Sequence, residues 1–408
     1  MYVCHFSYTV FQIRRAVNKE GDLLRQVTCL WKEPRAHGAY RTGVSLHSHT
    51  NHSREGLYFI VEYAARHALL RKAVAAQEKR AKREGSVTVD FWKGYWTPPL
   101  PPLAAFALEQ NQIERELGLA SMVSITDHDN IEAPMLLRVV PEARRVPVSV
   151  EWTVPFRDAT FHMGVHNLPS GGADSIMQRL REFTLQPVES KLTELLATLH
   201  QNPDILIVLN HPKWDLAGIG PEAHERTLRS LLCEYGEYLD ALELSGIRSW
   251  EENQAVLHLS EACNQVVISG GDRHGCEPNA ALNLTNAESF TEFVHEVRKE
   301  RRSHVLFMPQ YTEPYTLRVL QTLLDVVREY PDYSSGSRHW DERVFHPDST
   351  GVIRPLSTLW KRPPYYMRHF FSVVGLLELA PVRRAMRLAL ARPQQVPFSI
   401  NGRQEVAP

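Results

Sequence analysis

The chain has 408 residues, 43% of them hydrophobic, and its 46 Lys and Arg nearly balance 47 Asp and Glu for a formal charge of −1. Such a chain buries a large core, as one large domain with additions or as two domains, and carries no global field that would draw it onto nucleic acid or a membrane. Five widely spaced cysteines, Cys4, Cys29, Cys233, Cys263 and Cys276, form no Cys-x-x-Cys, which argues against a disulfide framework and for a reducing compartment.

The first 20 residues hold no basic stretch followed by an apolar one, and the nearest approach to a membrane span, at 370–379, is short and carries Glu378. The expectation is a cytoplasmic protein without a transmembrane segment. Residues 1–42 read as a strand-rich segment, with strands at 8–13 and 26–31 around Asn18-Lys19-Glu20-Gly21-Asp22. The next strand ends in Leu46-His47-Ser48-His49-Thr50, whose two histidines point the same way, as a metal ion requires. In a chain with 19 histidines that pair alone decides nothing.

Leu57, Val61, Ala64 and Ala68 recur at helical spacing, which predicts a helix from near Glu55 running into the Lys- and Arg-rich 71–84. That basic section reads as a solvated face, with an arm for a polyanion as the sharper alternative. Phe91, Trp92, Tyr95 and Trp96 follow, then Pro98, Pro99, Pro101 and Pro102, which impose an extended path and complete an insertion at about 71–102. Bunched aromatics usually bury themselves, so they read as an anchor in preference to a substrate lid.

A helix is expected at 103–117. Apolar runs at 122–125, 146–150, 159–165, 205–209, 239–244, 266–269 and 305–308 then alternate with helical patterns such as 192–199, 225–234 and 253–262. This predicts parallel strands joined by crossover helices and covered on both faces. After 310 the reading is an extension at 311–408: a helix at 315–330, a loop at 333–364, and helices at 370–392 broken at Pro381. The last of these carries Arg383, Arg384, Arg387 and Arg392 and reads as a helix packed on its own domain in preference to a membrane-surface helix.

Chemistry gathers at the ends of the apolar runs. They supply His47 and His49, then Thr126-Asp127-His128-Asp129, Glu151, His162 or His166, Asn210-His211-Pro212 and Gly270-Gly271-Asp272-Arg273-His274. Parallel barrels keep their sites at the carboxyl ends of strands, so these residues would converge on one face. Imidazole and carboxylate together suit Zn, Mn or Fe, and the donors exceed what one tetrahedral ion uses, which implies two or three divalent ions.

In order and in type, Leu46-His47-Ser48-His49-Thr50, Ile125-Thr126-Asp127-His128-Asp129, Glu151, His162, Asn210-His211-Pro212 and Gly271-Asp272-Arg273-His274 resemble the polymerase and histidinol phosphatase (PHP) domain superfamily. The likeness covers roughly 42–309. It implies an α/β fold, a distorted seven-stranded (β/α)7 TIM-like barrel at 43–310, with a two- or three-metal phosphoesterase centre. By motif, His47, His49, Glu151 and Asp272 would hold one ion, and Glu151 would bridge to a second held by His162 and His211. His128 and His274 would face a third. Family members commonly place an Asp after the His-x-His where this chain has Arg54, so Glu55 or His52 would have to complete that third shell. Arg54, Lys213 and Arg273 are the expected phosphate-binding residues, each with a salt bridge to a neighbouring carboxylate as its alternative.

The function expected is hydrolysis of a phosphate ester by a metal-activated hydroxide, on a phosphorylated small molecule or nucleotide. The alternatives are a nuclease acting on nucleic-acid ends, which the neutral charge disfavours, and a non-catalytic metal-stabilised interaction module.

Overall fold

In a computed structural model of the chain the described residues are 27–57, 72, 90–360 and 379–390, and they build three sheets with helices between them. The strand expected at 8–13, the helical repeat at 61–68 and the run at 370–378 lie outside these residues. Numbered along the chain, the strands are β1 (Val27–Cys29), β2 (Thr42–Ser45), β3 (Glu55–Gly56), β4 (Tyr95–Trp96), β5 (Ala120–Val123), β6 (Val148–Phe156) and β7 (Ala159–Leu168). There follow β8 (Leu206–Asn210), β9 (Ala241–Ser245), β10 (Val266–Gly270), β11 (Ala281–Thr285), β12 (Val305–Phe307), β13 (Val344–Pro347) and β14 (Ile353–Pro355).

One sheet runs β1-β12-β11-β2-β5 and a second β10-β9-β8-β7-β6. The α/β class matches the reading from sequence, but none of the sheets closes into a barrel. Nor are all strands parallel: β6, β7 and β8 pair antiparallel, and β11 pairs antiparallel to both β2 and β12. The cause is local. Only Arg157 and Asp158 separate β6 from β7, with Arg157 in the left-handed region at φ 54°, and so short a link permits a hairpin and no crossover. Two isolated parallel bridges join the sheets, Ser48 with Arg273 and His128 with Glu151.

The strands of the second sheet are apolar on both faces because both are covered. Val150, Trp152, Val154, Met163, Leu206, Ile207, Val208 and Leu242 are all buried. Helices Ala173–Leu185, Glu189–Gln201, Pro221–Tyr235 and Trp250–Cys263 lay their apolar faces on this core through residues such as Leu180, Leu196, Leu228 and Val256. Among the described residues no helix is long and apolar enough to cross a membrane.

The third sheet, β14-β13-β4-β3, corrects two expectations. Glu55 opens no helix but pairs with Trp96 in β3, and the supposed loop after 333 contributes β13, β14 and the short helix Leu356–Leu359. Trp96 is 7% exposed, packed with Leu57, Val326, Trp340, Leu356 and Trp360, whereas Trp92 is 70% exposed. The insertion is therefore anchored through Trp96, against the segment after 311. Trp96→Ala should lower the unfolding free energy by about 3 to 5 kcal/mol in a denaturant melt, and a loss under about 1 kcal/mol would contradict the anchor. Farther on, Arg387 of the helix Ala380–Leu390 pairs with Glu313 at 2.7 Å, which ties that basic helix to its own chain.

Candidate metal centre

The strand ends that meet at the two bridges bring a dense set of imidazoles and carboxylates together. Backbone bonds fix the meeting: His49 N–H donates to the Arg273 carbonyl, Gly271 N–H to that of Leu46, and Asp129 N–H to that of Glu151. Three of the residues so placed, His47, His211 and Asp272, sit at φ 61°, 28° and 51°. A left-handed conformation costs a non-glycine residue roughly 1–2 kcal/mol, so the surrounding bonds hold these side chains in a strained pose.

Glu151 stands at the middle, fully buried. Its Oε1 lies 3.0 Å from His47 Nε2, 3.2 Å from His162 Nδ1 and 3.1 Å from His211 Nε2, and accepts from Asn210 Nδ2 at 2.9 Å. Oε2 lies 3.3 Å from His49 Nε2 and 3.2 Å from His128 Nδ1. Asp272 Oδ1 is 3.6 Å from both His47 Nε2 and His49 Nε2. Glu55 Oε2 reaches His128 Nε2 at 3.2 Å and His274 Nε2 at 3.1 Å. Donor atoms thus gather into three groups that could each hold an ion: His47 with His49 and Glu151; His128 with Glu151 and His162; and His49 with Glu55, His128 and His274.

Burial raises the carboxyl of Glu151, but His47, His162 and His128 outweigh it and hold the group well below its ordinary value; His128 and His274 do the same for Glu55. Burial disfavours a proton on His128, yet Glu55 and Glu151 lift that ring to about 10. The centre is therefore a buried place that attracts positive charge. Several donors nonetheless lack a hydrogen bond: His47 Nε2, His49 Nε2, His162 Nδ1 and Glu151 Oε2 are buried without one. Orphaned buried polar atoms cost about 1–3 kcal/mol each, and divalent cations at the first two of the three donor groups would satisfy all four. The residues present fit such an ion.

Of two candidates on β7, His162 faces this cluster and His166 does not. β7 runs antiparallel to its neighbours, so its amino-terminal half lies at the site: His162 pairs in register with Asn210, while His166 pairs with Leu206, roughly 13 Å farther along the strand. His166 bonds Ser124 instead, and burial drops its ring to about 3. The rule of carboxyl-terminal strand ends reverses on this strand.

The cations expected to bind phosphate are otherwise engaged. Arg273 takes the salt bridge: its buried guanidinium donates to Glu109 Oε1 at 2.8 Å and to the carbonyls of Gly275 and His49, so it braces the loops that carry the cluster. Lys213 pairs with Glu225 at 2.7 Å, and Arg54 is exposed with its guanidinium 5.2 Å from the Tyr95 ring. His52, the alternative to Glu55, pairs with Glu132 at 3.1 Å. Two residues at the site were missed. Glu243, within the β9 run, meets His47 Nδ1 at 2.7 Å, and its presence in an otherwise apolar strand was the signal. Arg248, just past β9, stacks 3.6 Å over Trp214 with Nη2 3.5 Å from Asp272 Oδ2.

No family model and no curated protein matches the chain. Among solved structures it is similar to a candidate metal-dependent phosphoesterase from Bifidobacterium adolescentis, at TM-score 0.29 and 15% identity over 48% of this chain and 90% of that one. It is also similar to an amidohydrolase from Chromobacterium violaceum with bound sulfate and no metal, at TM-score 0.30 and 14% identity over 57% and 87%. Likeness at that level settles neither family nor chemistry.

Proposed function

We propose that this chain is a metal-dependent phosphoesterase of the PHP type, acting on a phosphorylated small molecule or nucleotide. The observation that carries the reading is the buried cluster around Glu151, in which four donor atoms have no hydrogen bond and three groups of donors share His49, His128 and Glu151. Shared donors support ions a few ångströms apart, and such ions, when bound, activate water and take up the charge that develops on phosphoryl oxygens. Imidazole mixed with carboxylate favours Zn, Mn or Fe.

Within that reading Glu151 would serve two ions, with His47 and His49 on one side and His162 on the other, while Asp272 and His211, which fall outside the three groups, would stand beside them. Glu55, His128 and His274 hold the third. Arg248, 3.5 Å from Asp272, would keep that carboxylate in place and bring a positive charge beside the centre for an anionic substrate. The two backbone bridges between the sheets support treating β2 and β5 to β10 as an opened form of the seven-stranded barrel.

The test is a metal-resolved screen against phosphomonoesters, phosphodiesters and nucleotides. Exhaustive chelation should abolish turnover and added Mn²⁺ or Zn²⁺ should restore it. Activity indifferent to chelation, or no turnover of any phosphoester by protein shown to carry metal, would exclude the reading.

A further inference from the structure

Glu243 is a carboxylate that the ligand set does not use, yet it is among the most carefully seated groups in the molecule. It lies in β9 between Leu242 and Leu244, 1% exposed, and its Oε2 meets His47 Nδ1 at 2.7 Å. The opposite nitrogen of the same ring, Nε2, faces Glu151 and Asp272 at 3.0 and 3.6 Å. Room for the carboxylate comes from β10: a Cβ added at Gly270 would stand 2.3 Å from Glu243 Cδ and 2.6 Å from its Oε2, and the nearest atoms to that point all belong to Glu243. A glycine stands where only a glycine leaves space for the acid.

An imidazole binds a cation through one nitrogen, and the bond made by the other decides which nitrogen that is. We propose that Glu243 is a positioning residue of the metal centre: it accepts the Nδ1–H of His47, fixes the plane and tautomer of that ring, and so presents the Nε2 lone pair to the ion shared with His49 and Glu151. This assignment rests on the proposed metal centre but not on the identity of the substrate. Without that bond the ring would be free to turn about χ2.

The experiment measures affinity for Mn²⁺ and Zn²⁺ by competition with a fluorescent chelator, on the full chain. Glu243→Gln keeps the shape and an accepting oxygen but loses the charge, and should weaken binding of the tightest ion about 10-fold; Glu243→Ala should weaken it about 100-fold. Gly270→Ala pushes the carboxylate aside without altering it and should also weaken binding. In the Glu243→Ala background that same change should add little, because the group it displaces is gone. Wild-type affinity in both Glu243 variants overturns the assignment, as does a Gly270→Ala effect that is equally large in both backgrounds. Should Glu243→Ala prove insoluble, the nearly isosteric Glu243→Gln still decides. A wild-type protein that binds no divalent ion overturns the metal centre itself, and the role of Glu243 with it; failure to hydrolyse phosphoesters by protein that binds metal leaves Glu243 standing and removes only the substrate class.

Discussion

Glu151→Gln should leave the fold intact and lower turnover of the metal-loaded protein by more than about 100-fold, beyond the 10- to 100-fold typical of residues that merely orient a ligand. The size follows from position. One carboxylate stands within 3.3 Å of nitrogens from His47, His49, His128, His162 and His211, so both of its oxygens serve donors from different strands. An amide of the same outline offers one oxygen and one NH2, and the NH2 cannot accept from an imidazole or ligate a cation. The negative charge that draws cations into this buried place is lost as well. Circular dichroism, metal content and kcat on the best phosphoester from the screen make the measurement; a rate within about tenfold of wild type at saturating metal would remove Glu151 from the centre.

On the proposed reading, Glu55→Ala should bind one ion fewer than the wild type, with a fall in rate. His128 and His274 are neutral donors in a ligand shell, and two imidazoles alone hold a divalent ion weakly; the Glu55 carboxylate, 3.2 and 3.1 Å from their Nε2 atoms, supplies the missing charge. The competing account, in which Glu55 begins a helix and pairs with Arg54, does not survive the geometry. Glu55 is in a strand, its carboxylate is buried and accepts from Ser53 Oγ at 2.5 Å, and Arg54 is turned outward onto Tyr95. Metal counting on both proteins after identical dialysis is decisive, and equal stoichiometry would show that Glu55 is no ligand.

The centre was more legible in the sequence than the scaffold. His47, His49, His128, Glu151, His211 and Asp272 follow or interrupt apolar runs, and a polar residue in such a place needs a partner, which narrows what it can do. Glu243 broke the same rule and passed unnoticed because β9 ended in no histidine. Hand and pairing of strands were harder to read. Apolar runs that are covered on both faces look alike whether parallel or antiparallel, so the β6–β7 hairpin was visible only in the two-residue link at Arg157 and Asp158. For Arg273 and Lys213 two partners stayed open in the sequence. Each could have met a phosphate or a carboxylate, and the choice was made by Glu109 and Glu225, which lie 164 and 12 positions away in the chain.

The third sheet makes Glu55 a hostage of distant sequence. Among the described residues its strand pairs only with β4, and β4 pairs in turn with β13, so the placement of the carboxylate beside His128 and His274 depends on backbone pairing with Val344 and Phe345. Linkage is reciprocal: free energy released when an ion grips Glu55 also stabilises every strand that keeps Glu55 in place. On the proposed reading, occupancy of that ligand shell and stability of the pairing at 344–355 would rise and fall together, and the late part of the chain would serve as a clasp on the centre.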